Sequence, residues 1–298
     1  MWNRPWTTKQ GFLIGGILVF AGLALQLGVG PVGWGGFAWP ANGVAMAALL
    51  CLVAVVSLLR GKVYLFRFVG TLQAAIPAMV CALSLTIVMG LTRQTSGGTW
   101  LHRMQAFWPF VLVYAYMALI LGVVTLRRLS RLCGGRWSRR KVRDVAFVLN
   151  HLGLFLAMTT ATLGHADMQR LKMTTVVGQP ERRALTREGE VRHVPMAIRL
   201  RRFVMETYDD GTPRRFASEI QIQTRGGKTL QATVDVNKPV EVDGWRIYQH
   251  GYDTQMGAMS QTSVLELVSD PWLPLVYAGI YMMLAGAACM FLMGRKED

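Results

Sequence analysis

Acidic residues are almost missing from this chain outside one stretch. Beyond residues 165–271 the carboxylates are Asp144, Glu297 and Asp298, against 17 Lys and Arg. Charge of either sign is scarce, at 16% of the 298 residues, while 52% are hydrophobic. Soluble domains carry roughly a quarter charged residues, so this composition belongs to a polytopic membrane protein. The net charge of +15 would suit nucleic acid if it formed one patch. It lies instead in short segments between apolar runs, where Lys and Arg set membrane orientation, and no nucleic-acid partner is expected.

Cysteine is scarce too. Cys51, Cys81 and Cys289 lie in apolar runs and Cys133 in a basic loop, with no CxxC. That excludes a thiol–disulfide exchanger or zinc module and leaves small apolar-like side chains in helices. GxSxG, HExxH, P-loop and GxGxxG arrangements are absent, as are internal repeats and low-complexity tracts. With no nucleophile–base pair, catalytic residues are expected to be none, and the chain is not a self-sufficient enzyme. Mid-membrane Asp and Glu are also missing, which argues against a proton-coupled transporter.

What is present is six apolar stretches near the 20 residues that a spanning helix needs. They cover about 11–29, 39–59, 72–91, 108–126, 144–164 and 272–293. The first resembles a signal-peptide core but is read as an uncleaved span. Placing the N-terminus in the cytoplasm puts 15 Lys and Arg in cytoplasmic segments and only Arg93 and Arg103 in the two short outer loops. The positive-inside rule then puts both termini in the cytoplasm and residues 165–271 outside. Trp39, Trp108 and Trp272 fall at outer span ends, as interfacial tryptophans do. SDPWLP reads as a capped start for the last span, with proline in its first turn. Gly15, Gly16 and Gly22, and Ala278, Gly279, Ala285 and Gly286, are small residues that let helices approach closely in lipid.

Residues 165–271 read as β-rich. Ile220 and Ile222, then Leu230, Ala232, Val234 and Val236, alternate around Gly226-Gly227, a hairpin pattern. MAIRLRRFVMETY runs into the turn Asp209-Asp210-Gly211, Asp243-Gly244 marks another turn, and Pro239 marks a strand edge. Five or more short strands make a small sandwich or half-barrel. The expected architecture is therefore a six-helix membrane protein with a β-rich extracytoplasmic domain between helices 5 and 6. Residues 1–164 form the five-helix membrane region, 165–271 the domain, and 272–298 the sixth helix and cytoplasmic tail.

His151 is the one histidine inside a span, with Asn150 before it. It lies seven residues past Asp144, about 10 Å into the helix from the cytoplasmic side. An intramembrane imidazole can bond a neighbouring helix, ligate haem iron or another metal, or relay protons. His165 lies fourteen residues further along the same helix line, at its outer edge, and one helix cannot give both axial ligands to one haem. A haem at His151 would take its second ligand from another protein. His102 in a short outer loop, and His193 and His250 in the β-rich segment, have solvated or structural roles, with His250 in a core aromatic cluster.

From about Val145 onward the chain resembles the ResB/CcsB family. The resemblance rests on NHLGLFLAM before the domain, on VNKPVEVDGWRIYQHGYD within it, and on a strand, Asp270-Pro271, one span and a short basic tail at the end. It implies a subunit of system II cytochrome c maturation in the bacterial cytoplasmic (inner) membrane. Such a subunit works with a CcsA-type partner to move haem across the membrane and present it to exported apocytochrome c, as part of a haem lyase or synthetase complex. The family's transmembrane histidine maps onto His151, as axial ligand to a transiently held haem b, so metal contact is through haem iron only. Two features depart from the family: five spans precede the domain where members have three, and the domain is short. A scaffold that anchors a β-domain for another envelope protein is the alternative reading.

Overall fold

In a computed structural model, residues 6–95, 99–132 and 139–294 are described. Cys133 and the flanking part of the basic loop, and the basic tail at Arg295 and Lys296, lie outside them. Among the described residues there are seven α-helices: α1 Thr8–Val29, α2 Ala41–Leu59, α3 Tyr64–Val69, α4 Leu72–Leu91, α5 Trp108–Leu132, α6 Arg139–Gly164 and α7 Leu273–Gly294. Six are long and apolar enough to cross a membrane; α3 is a short connector that hydropathy does not reveal. The bundle's outer surface is apolar, with Phe20, Leu58, Leu91 and Phe291 each more than 70% exposed. Such a surface is stable only against lipid.

Small residues set the helix contacts. A Cβ on Gly15 would meet Cys81 Sγ of α4 at 2.8 Å, and one on Gly22 would meet the Pro109 nitrogen of α5 at 2.5 Å. Gly11, not expected to matter, packs on Gln73 and Pro77, whereas Gly16 faces open space. The stripe is therefore Gly11, Gly15 and Gly22, which follows one helical face; Gly16 is a quarter-turn off it. The small residues of α7 meet α6: a Cβ on Gly279 would lie 2.6 Å from the Gly153 carbonyl oxygen. α7 opens at Leu273, so Trp272 rather than Ser269 or Asp270 takes the position before the first turn, and Pro274 falls inside that turn.

The chain divides into two compact units, residues 1–166 with 272–298, and residues 167–271. The second is an antiparallel sheet of eight strands: β1 Gln169–Val176, β2 Pro180–Leu185, β3 Val191–Thr207, β4 Pro213–Gln223, β5 Thr229–Asp235, β6 Val240–Val242, β7 Trp245–Tyr252 and β8 Thr262–Ser269. In the chain they lie between α6 and α7. Their order is β5-β4-β3-β2-β1-β8-β7-β6. Glycines, Asn237 and Asp243 carry the positive-φ turn positions. Gly227 (φ 80°) closes β4–β5, Gly211 (φ 81°) closes β3–β4, and Asp243 (φ 50°) with Gly244 (φ 78°) closes β6–β7. Two central residues with positive φ form the I′ turn that matches strand twist. Pro239 immediately precedes the edge strand β6, where no ladder donor is lost. β1 begins close behind α6, and β2, PERRAL, carries no apolar alternation of its own.

The sheet curls so that β4 faces β7 and β8 across one interior, filled by Met173, Met196, Ile198, Leu200, Ile222, Ile247 and Leu265. Leu230 is not part of it; it is 42% exposed at the strand's start. At one end of the interior lies a polar cluster. Ser218 donates to Gln249 Oε1 at 2.6 Å, and Gln249 Nε2 donates to the Gly251 carbonyl at 2.9 Å and to Ser263 Oγ at 3.0 Å. Gln249→Ala removes one partner from each of the buried hydroxyls of Ser218 and Ser263, which still bond each other at 2.7 Å. It is expected to cost about 1–3 kcal/mol and to speed amide exchange in β4 and β8 of the full-length protein. Exchange unchanged from wild type would show that the cluster contributes nothing. On the surface, Arg183 bonds Glu181 at 2.9 Å and holds that carboxyl down to about 2. Arg202 similarly lowers Glu219. Such exposed pairs add little to stability.

Candidate functional site

α6 begins inside the basic segment and runs through Asn150, His151 and Gly153. Consecutive helix residues point about 100° apart, and the three divide their neighbours accordingly. Asn150 and Gly153 face α7. Asn150 Nδ2 donates to the Ala146 carbonyl at 3.0 Å, and a Cβ on Gly286 would meet that same Nδ2 at 2.6 Å. On Gly153 a Cβ would lie 2.5 Å from the Gly279 carbonyl oxygen, so only glycine permits this approach.

His151 turns away from that seam. Its Nδ1 lies 2.9 Å from the Phe147 carbonyl oxygen. A carbonyl only accepts, so Nδ1 carries the proton, and in the neutral ring Nε2 keeps its lone pair. Metal-ligating histidines are oriented in this way, with the second nitrogen bonded to a backbone carbonyl. The Phe147 ring stacks on the imidazole, with centroids 3.7 Å apart and planes 15° apart. Above Phe147 sits the Arg128 guanidinium, 4.7 Å from the ring centroid, and Arg128 Nε lies 2.6 Å from Asp144 Oδ1. Asp144 is buried. Ion pair, guanidinium, phenyl and imidazole thus form one column from the head of the span to His151.

Sequence reasoning singled out His151 and missed the column. The signal was present for half of it, since Phe147 and His151 are four apart and share a helix face. Arg128 comes from α5, and nothing in its own sequence context pairs it with α6. The other histidines are scattered. His165 follows the end of α6, about 21 Å beyond His151 at 1.5 Å per residue. His102 Nδ1 lies 2.7 Å from the Arg93 carbonyl. His193 and His250 are exposed on the sheet. His250 is therefore not in an aromatic core: Trp245 and Ile247 point inward, so strand alternation puts Gln249 on the inner face and His250 outside. The aromatic cluster exists without it, as Tyr252 stacked on Phe203 at 4.8 Å.

These elements define a class: a multi-helix membrane protein whose last two long helices pair through glycine, joined in sequence by an antiparallel β-domain. Residues 138–261 match the ResB-like family. That stretch holds all of α6, including the Asn150–Gly153 segment, and the domain through β7. Among solved structures, a chain titled cytochrome c heme lyase CcmF is similar at 15% identity and a TM-score of 0.40. The likeness covers 96% of this chain and 46% of that one. No curated protein matches.

Proposed function

We propose that the chain is a subunit of the cytochrome c maturation machinery and holds haem as cargo at His151. The observation that carries this reading is the imidazole: inside a span, Nδ1–H committed to Phe147, Nε2 without a partner among the described residues. That arrangement supplies one axial ligand. The second comes from a CcsA-type partner, as in system II, and the haem b so held is passed outward to apocytochrome c. The setting is a bacterial inner membrane with both termini cytoplasmic and the β-domain outside, an orientation supported by the placement of Lys and Arg. The covalent attachment belongs to the complex rather than to this chain.

The test is to purify the full-length chain with its CcsA-type partner and record haem content and spectrum for wild type, His151→Ala and His165→Ala. His151→Ala is expected to lose at least nine-tenths of the bound haem, and addition of imidazole to restore a low-spin spectrum. His165→Ala retains it. Equal haem in His151→Ala and wild type would refute the assignment and leave the anchored-scaffold reading.

A further inference from the structure

Above His151 the bundle opens. At Gly122 the helices α2, α5 and α6 touch: a Cβ there would meet Val53 Cγ2 at 2.6 Å and Phe155 Cε2 at 3.1 Å. Beyond this floor they part around a cavity of about 490 Å³, walled by Ala45 and Leu49 of α2, Tyr114 and Ala118 of α5, and Met158 and Thr162 of α6. It reaches a mouth at Trp34, Gln105, Trp108 and His165. The wall from Trp108 to Ala118 runs about 15 Å at 1.5 Å per residue, room for an extended apolar chain. The volume lies within the roughly 300–1,000 Å³ of ligand pockets, which form between bundle helices with apolar walls and a few placed polar groups.

Its polar groups sort cleanly. The Trp34 indole N–H goes to the Gln105 carbonyl and that of Trp108 to the Gly30 carbonyl, both at 2.9 Å. Thr159 and Thr162 donate to carbonyls one turn back, at 2.6 and 2.8 Å. The side chains of Gln105, Tyr114 and His165 have no partner among the described residues. No Lys, Arg, Asp or Glu lines the space. An anionic head would therefore meet no fixed counter-charge among the lining residues. A neutral head bearing hydroxyl or carbonyl oxygens meets an imidazole and an amide at the mouth.

We propose that this cavity binds a neutral membrane amphiphile, its tail between α2, α5 and α6 and its oxygen-bearing head hydrogen-bonded by His165 and Gln105. The inference does not rest on the role of His151. Native mass spectrometry of the delipidated full-length protein tests it, with three probes of similar tail length: a decyl-tailed benzoquinone, monododecanoylglycerol and dodecanoate. One neutral probe is expected to saturate at one equivalent, at least tenfold tighter than dodecanoate. Whether the quinone or the glyceride does so identifies the source of the ligand. Ala115→Phe, which fills the cavity, is expected to weaken that probe at least tenfold. His165→Leu, at the exposed mouth where folding is unaffected, is expected to reduce the advantage over dodecanoate about tenfold. Dodecanoate binding as tightly as the neutral probes, no saturable binding of either, or affinity unchanged in both variants would overturn the proposal.

Discussion

Gly153→Leu is expected to unseat α7 from α6. Already at alanine the added carbon would lie 2.5 Å from the Gly279 carbonyl oxygen and 2.9 Å from the Met283 nitrogen. Both are backbone atoms, so no rotamer change relieves the clash and the helices must separate. Overpacking costs about 1–3 kcal/mol where side chains yield, and here at least the upper value, about 3 kcal/mol, is expected. Separation also removes the contacts of Asn150 with Gly286 and Met290. Unfolding of the full-length protein in mixed SDS micelles measures the loss. Gly16→Leu is the control, because a Cβ on Gly16 meets nothing within 4 Å, and it should stay within about 0.5 kcal/mol of wild type. If the two variants unfold alike, the glycine seam between α6 and α7 is not what joins these helices.

The second large effect concerns charge. Arg128→Ala leaves the Asp144 carboxylate, whose side chain is 11% exposed, without its cation partner among the described residues. Breaking a buried pair costs about 3–5 kcal/mol because a charge is stranded. Arg128 is 31% exposed, so water relieves part of this and a loss of about 2–3 kcal/mol is expected. The double variant Arg128→Ala/Asp144→Ala should recover most of it, since no charge is then left behind. Equal losses in the single and double variants would mean that packing of the guanidinium, rather than charge, is at stake. Arg128 also caps the Phe147–His151 stack. If His151 holds haem, Arg128→Ala should therefore shift the haem spectrum without emptying the site, whereas Gly16→Leu should not.

Much of the architecture was legible because its signals are local. Twenty consecutive apolar residues satisfy their own backbone inside one helix and have no other stable form in lipid, so all six long helices could be read from hydropathy. The β4–β5, β3–β4 and β6–β7 turns were equally local, since Gly-Gly, Asp-Asp-Gly and Asp-Gly supply the positive φ that the turns require. Two strands and α3 were not legible: β1 abuts α6, and six residues are too few to show a period. His250 misled because its aromatic neighbours in sequence, Tyr248 and Tyr252, outweighed the alternation from Trp245 and Ile247, which turns it outward.

By itself, then, the sequence determined the six long apolar helices, the β-rich stretch before the last of them, and a lone histidine within the fifth. These follow from residue type and spacing along one helix or strand. The tertiary structure decided the rest: that Gly153 belongs to α7, that Arg128 reaches Asp144 and the Phe147 ring, that Gln249 meets Ser218 of β4, and that α2, α5 and α6 close at Gly122 and open above it. Each depends on which element lies opposite. That choice is made by the shapes of whole helix faces packing together, and no single segment encodes it.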